Sequence, residues 1–161
     1  MKNAFRSAAL AMSLGLVAFM PAAFAATTTG TFTVSLTLTP KCEITGAIGN
    51  LNVAYTSWQG SASTGSTSFN MRCTTNQAYS VALDNGGSYT DSTTSLDYTL
   101  KLSANSASPA GGDTSSMSGT GNGATPQTFY VHASLASGQT GTCNSLTTCT
   151  ATNSRTLTIT Y

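Results

Sequence analysis

Apolar and polar residues alternate with a period of two in short runs along most of the chain. The first run covers residues 30–38, where Phe32, Val34, Leu36 and Leu38 alternate with Thr31, Thr33, Ser35 and Thr37. Successive side chains of an extended strand point to opposite faces, so this stretch has one apolar face and one hydroxyl face. Its β-branched and aromatic content favours a strand, and a helix would scatter the four apolar side chains around its surface. The stretch lies ahead of the first cysteine, where many domains carry a loose tail. A tail this apolar has to bury itself in something.

The same pattern recurs downstream. Pro40 interrupts, and residues 41–44 predict a short strand carrying Cys42. Leu51, Val53 and Tyr55 alternate and predict another, followed by a Gly/Ser/Thr loop over residues 59–68. Phe69, Met71 and Cys73 share a face. Tyr79, Val81 and Leu83 alternate up to the turn residues Asp84, Asn85, Gly86 and Gly87. Leu96, Tyr98, Leu100 and Leu102 form the clearest run of the middle section. Residues 103–125 hold one large apolar residue, Met117, and predict a long exposed loop. Phe129, Val131, Ala133 and Leu135 predict a further strand, and Leu157, Ile159 and Tyr161 share a face at the end of the chain. Six to eight short strands with no sustained 3.6-residue period predict an all-β, antiparallel sandwich.

The first 25 residues stand apart. Lys2 and Arg6 precede an apolar run over residues 10–20, and Ala23 and Ala25 offer small residues for cleavage before Ala26. Residues 1–25 thus read as a secretory signal, and their apolar run is too short for a membrane span. Removing them from 161 residues leaves 136, the size of one domain. The remainder holds four basic and five acidic residues, a net charge of −1. Such a charge-poor surface gives no electrostatic footprint for nucleic acid or anionic lipid.

Cys42, Cys73, Cys143 and Cys149 all lie in the exported part, and an even number there reads as disulfides. Four cysteines allow three connectivities, and we take the nearest-neighbour one, Cys42–Cys73 and Cys143–Cys149. Little else carries chemistry. His132, the single histidine, sits mid-strand opposite the apolar face and reads as an exposed strand residue without the partners of a triad or metal site. Asp84, Asp91 and Asp97 lack the dense oxygen-ligand alternation of a calcium loop, and turn capping suits Asp84 better. Trp58 fits either a core plug or a loop residue. No catalytic, cofactor-binding or metal-binding residues are identified, and no enzyme is expected.

Taken in order, the chain reads as a signal, an alternating N-terminal strand, Cys42, LNVAY, a Ser/Gly loop, FNMRCTT, YSVALDNGG, LDYTLKLS, FYVHASL and a terminal TLTITY. This order resembles the pilin subunits of archaic chaperone–usher fimbriae, the spore coat protein U domain family. It departs where the family carries a Gly-x-Tyr-x-Asp step before the last strand, since Arg155 and the Cys143–Cys149 loop occupy that region here. The resemblance implies an immunoglobulin-like sandwich lacking one strand, completed by a neighbouring subunit's N-terminal strand. It implies residues 26–39 as the donor extension and 40–161 as the pilin domain. By residue, Phe32, Val34, Leu36 and Leu38 would be the donor face, and Leu157, Ile159 and Tyr161 the groove edge. The implied partners are further pilin subunits, a periplasmic chaperone and an outer-membrane usher, and the implied destination is a surface fimbria. Two alternatives remain open from the residues alone. Residues 30–38 could fold back as the first strand of their own sandwich, or the chain could be a secreted, lectin-like adhesive sandwich contacting its target through residues 103–125.

Overall fold

The computed structural model describes residues 25–106, 114–145 and 147–161, so the signal expected over residues 1–25 lies almost wholly outside the described residues. The chain divides into two units between Leu36 and Thr37, each described by itself. In the first, residues 25–36 have no assigned strand or turn, and Phe32, Val34 and Leu36 expose their side chains. A strand is defined by the hydrogen bonds of a partner, and alternation alone supplies none.

In the second unit, period-two alternation turns into eight strands: β1 (Cys42–Ile44), β2 (Ser63–Cys73), β3 (Ala78–Leu83), β4 (Ser88–Thr90), β5 (Asp97–Ser103), β6 (Ser116–Thr120), β7 (Gln127–Leu135) and β8 (Leu157–Thr160). They form two antiparallel sheets, one ordered β1-β2-β7-β5-β4 and the other β6-β3-β8, in the expected sandwich-like arrangement. Between β3 and β4, Asp84–Gly87 makes a tight turn in which Asn85 and Gly86 take positive φ, the conformation that Asn and Gly tolerate best.

The core lies between the inner faces. Met71 and Val81 are fully buried, with Leu102, Cys73 and Phe69 nearly so. Phe69 pairs directly with Phe129 across β2 and β7, their rings stacked 5.5 Å apart, and Tyr79 from the other sheet meets Phe129 edge-on at 6.2 Å. These offset and edge-on arrangements suit the ring quadrupoles. A disulfide joins Cys42 on β1 to its register partner Cys73 on β2, and a second joins Cys143 to Cys149.

Four expectations need correction. Residues 63–68 are not loop but the first half of β2, whose inward positions Ser63, Gly65 and Thr67 are too small or polar to signal a strand. The stretch 103–125 is not one loop, because β6 pairs with β3 in the register Val81↔Met117. Residues 51–55 carry no assigned strand, although Leu51, Val53 and Tyr55 alternate in burial with Asn52 and Ala54. His132 is buried, not exposed: the chain after β5 folds over the outer face of β7, and His132 Nε2 lies 3.1 Å from the carbonyl oxygen of Asn105. Alternation tells which face a side chain takes, not whether a loop will cover that face.

Candidate functional site: an open edge beside a half-covered core

The last strand has one partner. β8 pairs with β3 in the register Leu83↔Leu157 and Val81↔Ile159, and no described strand pairs with its other side. Burial falls across that edge. Val81 and Leu83 are buried, whereas Leu157 and Ile159 in the same rows are only half-buried, although they pack against the core. Tyr161, one residue past the strand, is 55% exposed.

The same layer contains a second incomplete element. After β1, residues 49–53 cross the inner face of β2. Gly49 accepts a hydrogen bond from the Thr67 hydroxyl at 2.9 Å. A Cβ on Gly65 would lie 2.9 Å from both the Asn52 carbonyl oxygen and the Val53 side chain, so glycine is required for this approach. That explains the small inward residues of β2: chain, not side chain, fills the space above them. Leu51 and Val53 are half-buried against the core. Between Gly46 and Tyr55 no backbone–backbone hydrogen bond is made among the described residues. In the other direction the layer closes: Leu102 of β5 bridges to Thr114 just ahead of β6. With β6 tied to β5 by this bridge, β8 is the opposite edge of its sheet. Among the described residues, β8 has a strand partner on one side only, and residues 49–53 carry no assigned strand.

The start of β8 is held firmly. Asp84 accepts hydrogen bonds from the Tyr89 hydroxyl at 2.8 Å and from the Thr156 backbone N–H at 3.3 Å. The Arg155 guanidinium lies 4.1 Å from the centre of the Tyr89 ring and donates to the Tyr98 hydroxyl at 2.7 Å. Burial, reinforced by the Asp84 carboxylate, pushes the Tyr89 hydroxyl well above its usual range. Asp91 is buried in the turn between β4 and β5. Its carboxylate is held down to about 2, chiefly by the Thr94 hydroxyl and then by the Asn153 side-chain amide. At the other pole, Glu43 is drawn below its usual range by hydrogen bonds from Lys41 and Arg72.

The residues singled out in the sequence fall in separate places. Phe32, Val34, Leu36 and Leu38 are 64–89% exposed, while Leu157 and Ile159 lie on β8 with Tyr161 just past its end. Sequence reasoning missed that residues 49–53 cross the inner face of β2 without an assigned strand partner. Their alternation was a signal, but it says nothing of missing partners. Among the described residues no three His, Cys, Asp or Glu side chains cluster as a metal site, and no helix is long and apolar enough to cross a membrane. Asp84 and Asp97 serve turns and strands instead, Asp97 accepting from the Thr90 hydroxyl at 2.5 Å.

No curated protein and no solved structure matches the chain. Residues 28–147 match the model of the Spore Coat Protein U domain, and the chain therefore belongs to that family, a structural rather than enzymatic family of chaperone–usher fimbrial subunits.

Proposed function

We propose that this chain is a shaft or adaptor subunit of a surface fimbria that polymerises by donor-strand exchange. Residues 1–25 direct export, residues 26–39 form the donor extension, and residues 40–161 form the acceptor domain. The extension of one copy, through Phe32, Val34, Leu36 and Leu38, enters the layer between β8 and residues 49–53 of the next. Leu157, Ile159 and Tyr161 border the groove. A periplasmic chaperone covers that edge first, and an outer-membrane usher templates the exchange. The finished fibre serves adhesion and biofilm formation.

The observation that carries this reading is the half-covered row of Leu157 and Ile159 beside an unpaired backbone edge, in a chain whose N-terminal segment exposes four alternating apolar side chains. Strand addition joins backbone hydrogen bonds to side chains seated in alternate pockets. Burying four side chains of this size contributes about 6–12 kcal/mol gross, and ordering the tail at about 1–2 kcal/mol per residue costs a similar amount. Persistence then rests on slow unfolding of the completed sandwich.

The test compares Leu36→Asp with Ser35→Asp. A charge on the apolar face enters a dry pocket, while one on the hydroxyl face stays in water. Leu36→Asp should abolish surface fibres and the ladders seen on unboiled gels, and Ser35→Asp should keep both. Equal assembly by the two variants rules out the donor strand.

A further inference from the structure

Trp58 combines three features that rarely coincide. Its side chain is 74% exposed, it is the only tryptophan in the chain, and its φ is +59°. Positive φ at a bulky residue is an outlier that persists only where the surroundings impose it. Here they do. The Trp58 N–H donates to the Gln139 carbonyl at 2.9 Å, and the Gln59 N–H closes the turn onto the Thr56 carbonyl at 3.1 Å. The Gln59 side chain accepts from the Thr56 N–H at 2.9 Å and donates to Ser61 and Ser63, while the Gln139 N–H donates to the Tyr55 hydroxyl at 2.8 Å. All of this fixes the backbone. The indole itself makes no hydrogen bond and no ring contact among the described residues. A rigid turn thus presents one large apolar side chain to the outside.

We infer that Trp58 is a junction contact, buried against a second copy of this chain wherever two subunits meet in the fibre. The inference rests on the donor-strand reading and adds to it a contact between folded domains. Its basis is position. Trp58 sits at the pole where β8 begins: Gln139, which receives the Trp58 N–H, also binds the Asp97 backbone at 2.7–2.8 Å. The neighbouring Tyr98 binds Arg155, two residues before Leu157. The chain's own β1 begins at the other pole, where Lys41 and Thr74 exchange hydrogen bonds beyond the end of β2.

Antiparallel pairs are the commoner kind, and an extension pairing antiparallel to β8 ends beside Leu157, at the Trp58 pole. From Leu38 to Cys42 the chain reaches at most about 14 Å. The incoming copy's pole, built from Lys41, the turn at residues 74–77 and residues 121–123, is then held within contact distance of Trp58. Tryptophan is the residue type most often found as the anchor of such contacts.

The experiment uses the single tryptophan as its own probe. Fibres and unassembled subunit from one preparation are titrated with acrylamide beside N-acetyltryptophanamide, and emission spectra are recorded. Unassembled subunit should quench almost as freely as the free amide. Fibres should show a several-fold lower quenching constant and a blue-shifted maximum. As a second arm, Trp58→Gly keeps the turn, because glycine accepts this φ, and removes the indole. It should still form unboiled ladders, yet give visibly more bendable fibres in electron micrographs. Ladders whose indole stays freely quenchable overturn this inference alone, and so do Trp58→Gly fibres as straight as the parent. A parent preparation without ladders overturns the donor-strand reading as well.

Discussion

Replacing Asp91 should loosen the edge strand from a distance. The Asp91 carboxylate caps the turn between β4 and β5, accepting the N–H groups of Thr93 and Thr94 at 3.1 and 2.5 Å and the Thr94 hydroxyl at 2.6 Å. Its other oxygen accepts from the side-chain amide of Asn153 at 2.7 Å, across 62 residues of sequence, just ahead of β8. Hydrogen bonds to a charged group contribute about 1.5–3 kcal/mol each. Thr93 is exposed, so the N–H groups of the turn can exchange part of this with water, but the bond to Asn153 has no local substitute. Asp91→Ala should therefore cost about 2–4 kcal/mol, and Asp91→Asn, which keeps an acceptor, about 1 kcal/mol. In urea the alanine variant should unfold about 1–2 M earlier with an unchanged slope. The sign with pH follows from the lowered folded value. The contribution is fully present above the ordinary carboxylate range near 4 and is lost as pH falls through about 2. The gap between parent and Asp91→Asn should therefore be constant from pH 7 to 5 and close between pH 4 and 2. Denaturant curves across that range test this. An alanine variant within about 0.5 kcal/mol of the parent at pH 7, or a gap indifferent to acid, would refute the reasoning.

The two disulfides should differ in weight. By loop entropy, Cys42–Cys73, at a sequence separation of 31, contributes about 3.7 kcal/mol, and Cys143–Cys149, at a separation of 6, about 2.2. Paired serine substitutions followed by urea unfolding should keep that order, with non-reducing peptide mapping as the check on pairing. Gly121→Ala should cost about 1–3 kcal/mol by overpacking, because a Cβ there would meet the Thr74 carbonyl oxygen at 2.2 Å. Gly60→Ala, where nothing lies within 4 Å, is the control, and equal melting temperatures for the two would contradict the packing at residue 121.

How much of this was legible depended on what each residue had to face. β3, β5 and β7 bury Val81, Leu102 and Val131 against other side chains, so apolar residues recur at every second position and the strands read directly. The first half of β2 faces the backbone of residues 49–53, so Ser63, Gly65 and Thr67 stand where a strand would ordinarily show Val or Leu. β6 contributes one half-buried side chain, Met117, and Gly119, also half-buried, lies where a Cβ would meet the Tyr79 hydroxyl at 2.5 Å. Close approach of main chain and ring demands small residues, and small residues look like loop. Excising residues 107–121 would remove β6 from beside β3 and should destabilise the fold. Of the site, the apolar face of β8 was readable. That its outer edge has no partner among the described strands was not, because pairing belongs to the sheet and not to the strand.

The remaining edges make the case for β8 sharper. An exposed strand edge invites pairing with another chain, and folded proteins usually blunt it with short strands, charges, proline or bulges. β1 is three residues long and carries Glu43 between Lys41 and Arg72. β4 is also three residues long, its central Tyr89 buried against Tyr98. β6 exposes Ser116, Ser118 and Thr120, with one half-buried apolar side chain between them. β8 is short too, at four residues, but has neither of the other two sequence devices. Its sequence is Leu-Thr-Ile-Thr, without charge or proline, and its apolar side chains sit half-covered beside the open edge. Its start is meanwhile clamped by Asp84 and Arg155. Under the proposed function, a strand fixed at its start would act as a preformed template, so the entropy of ordering would fall on the incoming segment. Under the proposed function that segment is another copy's residues 32–38. Covering Leu157 and Ile159 would then complete the core and join the subunits in the same step.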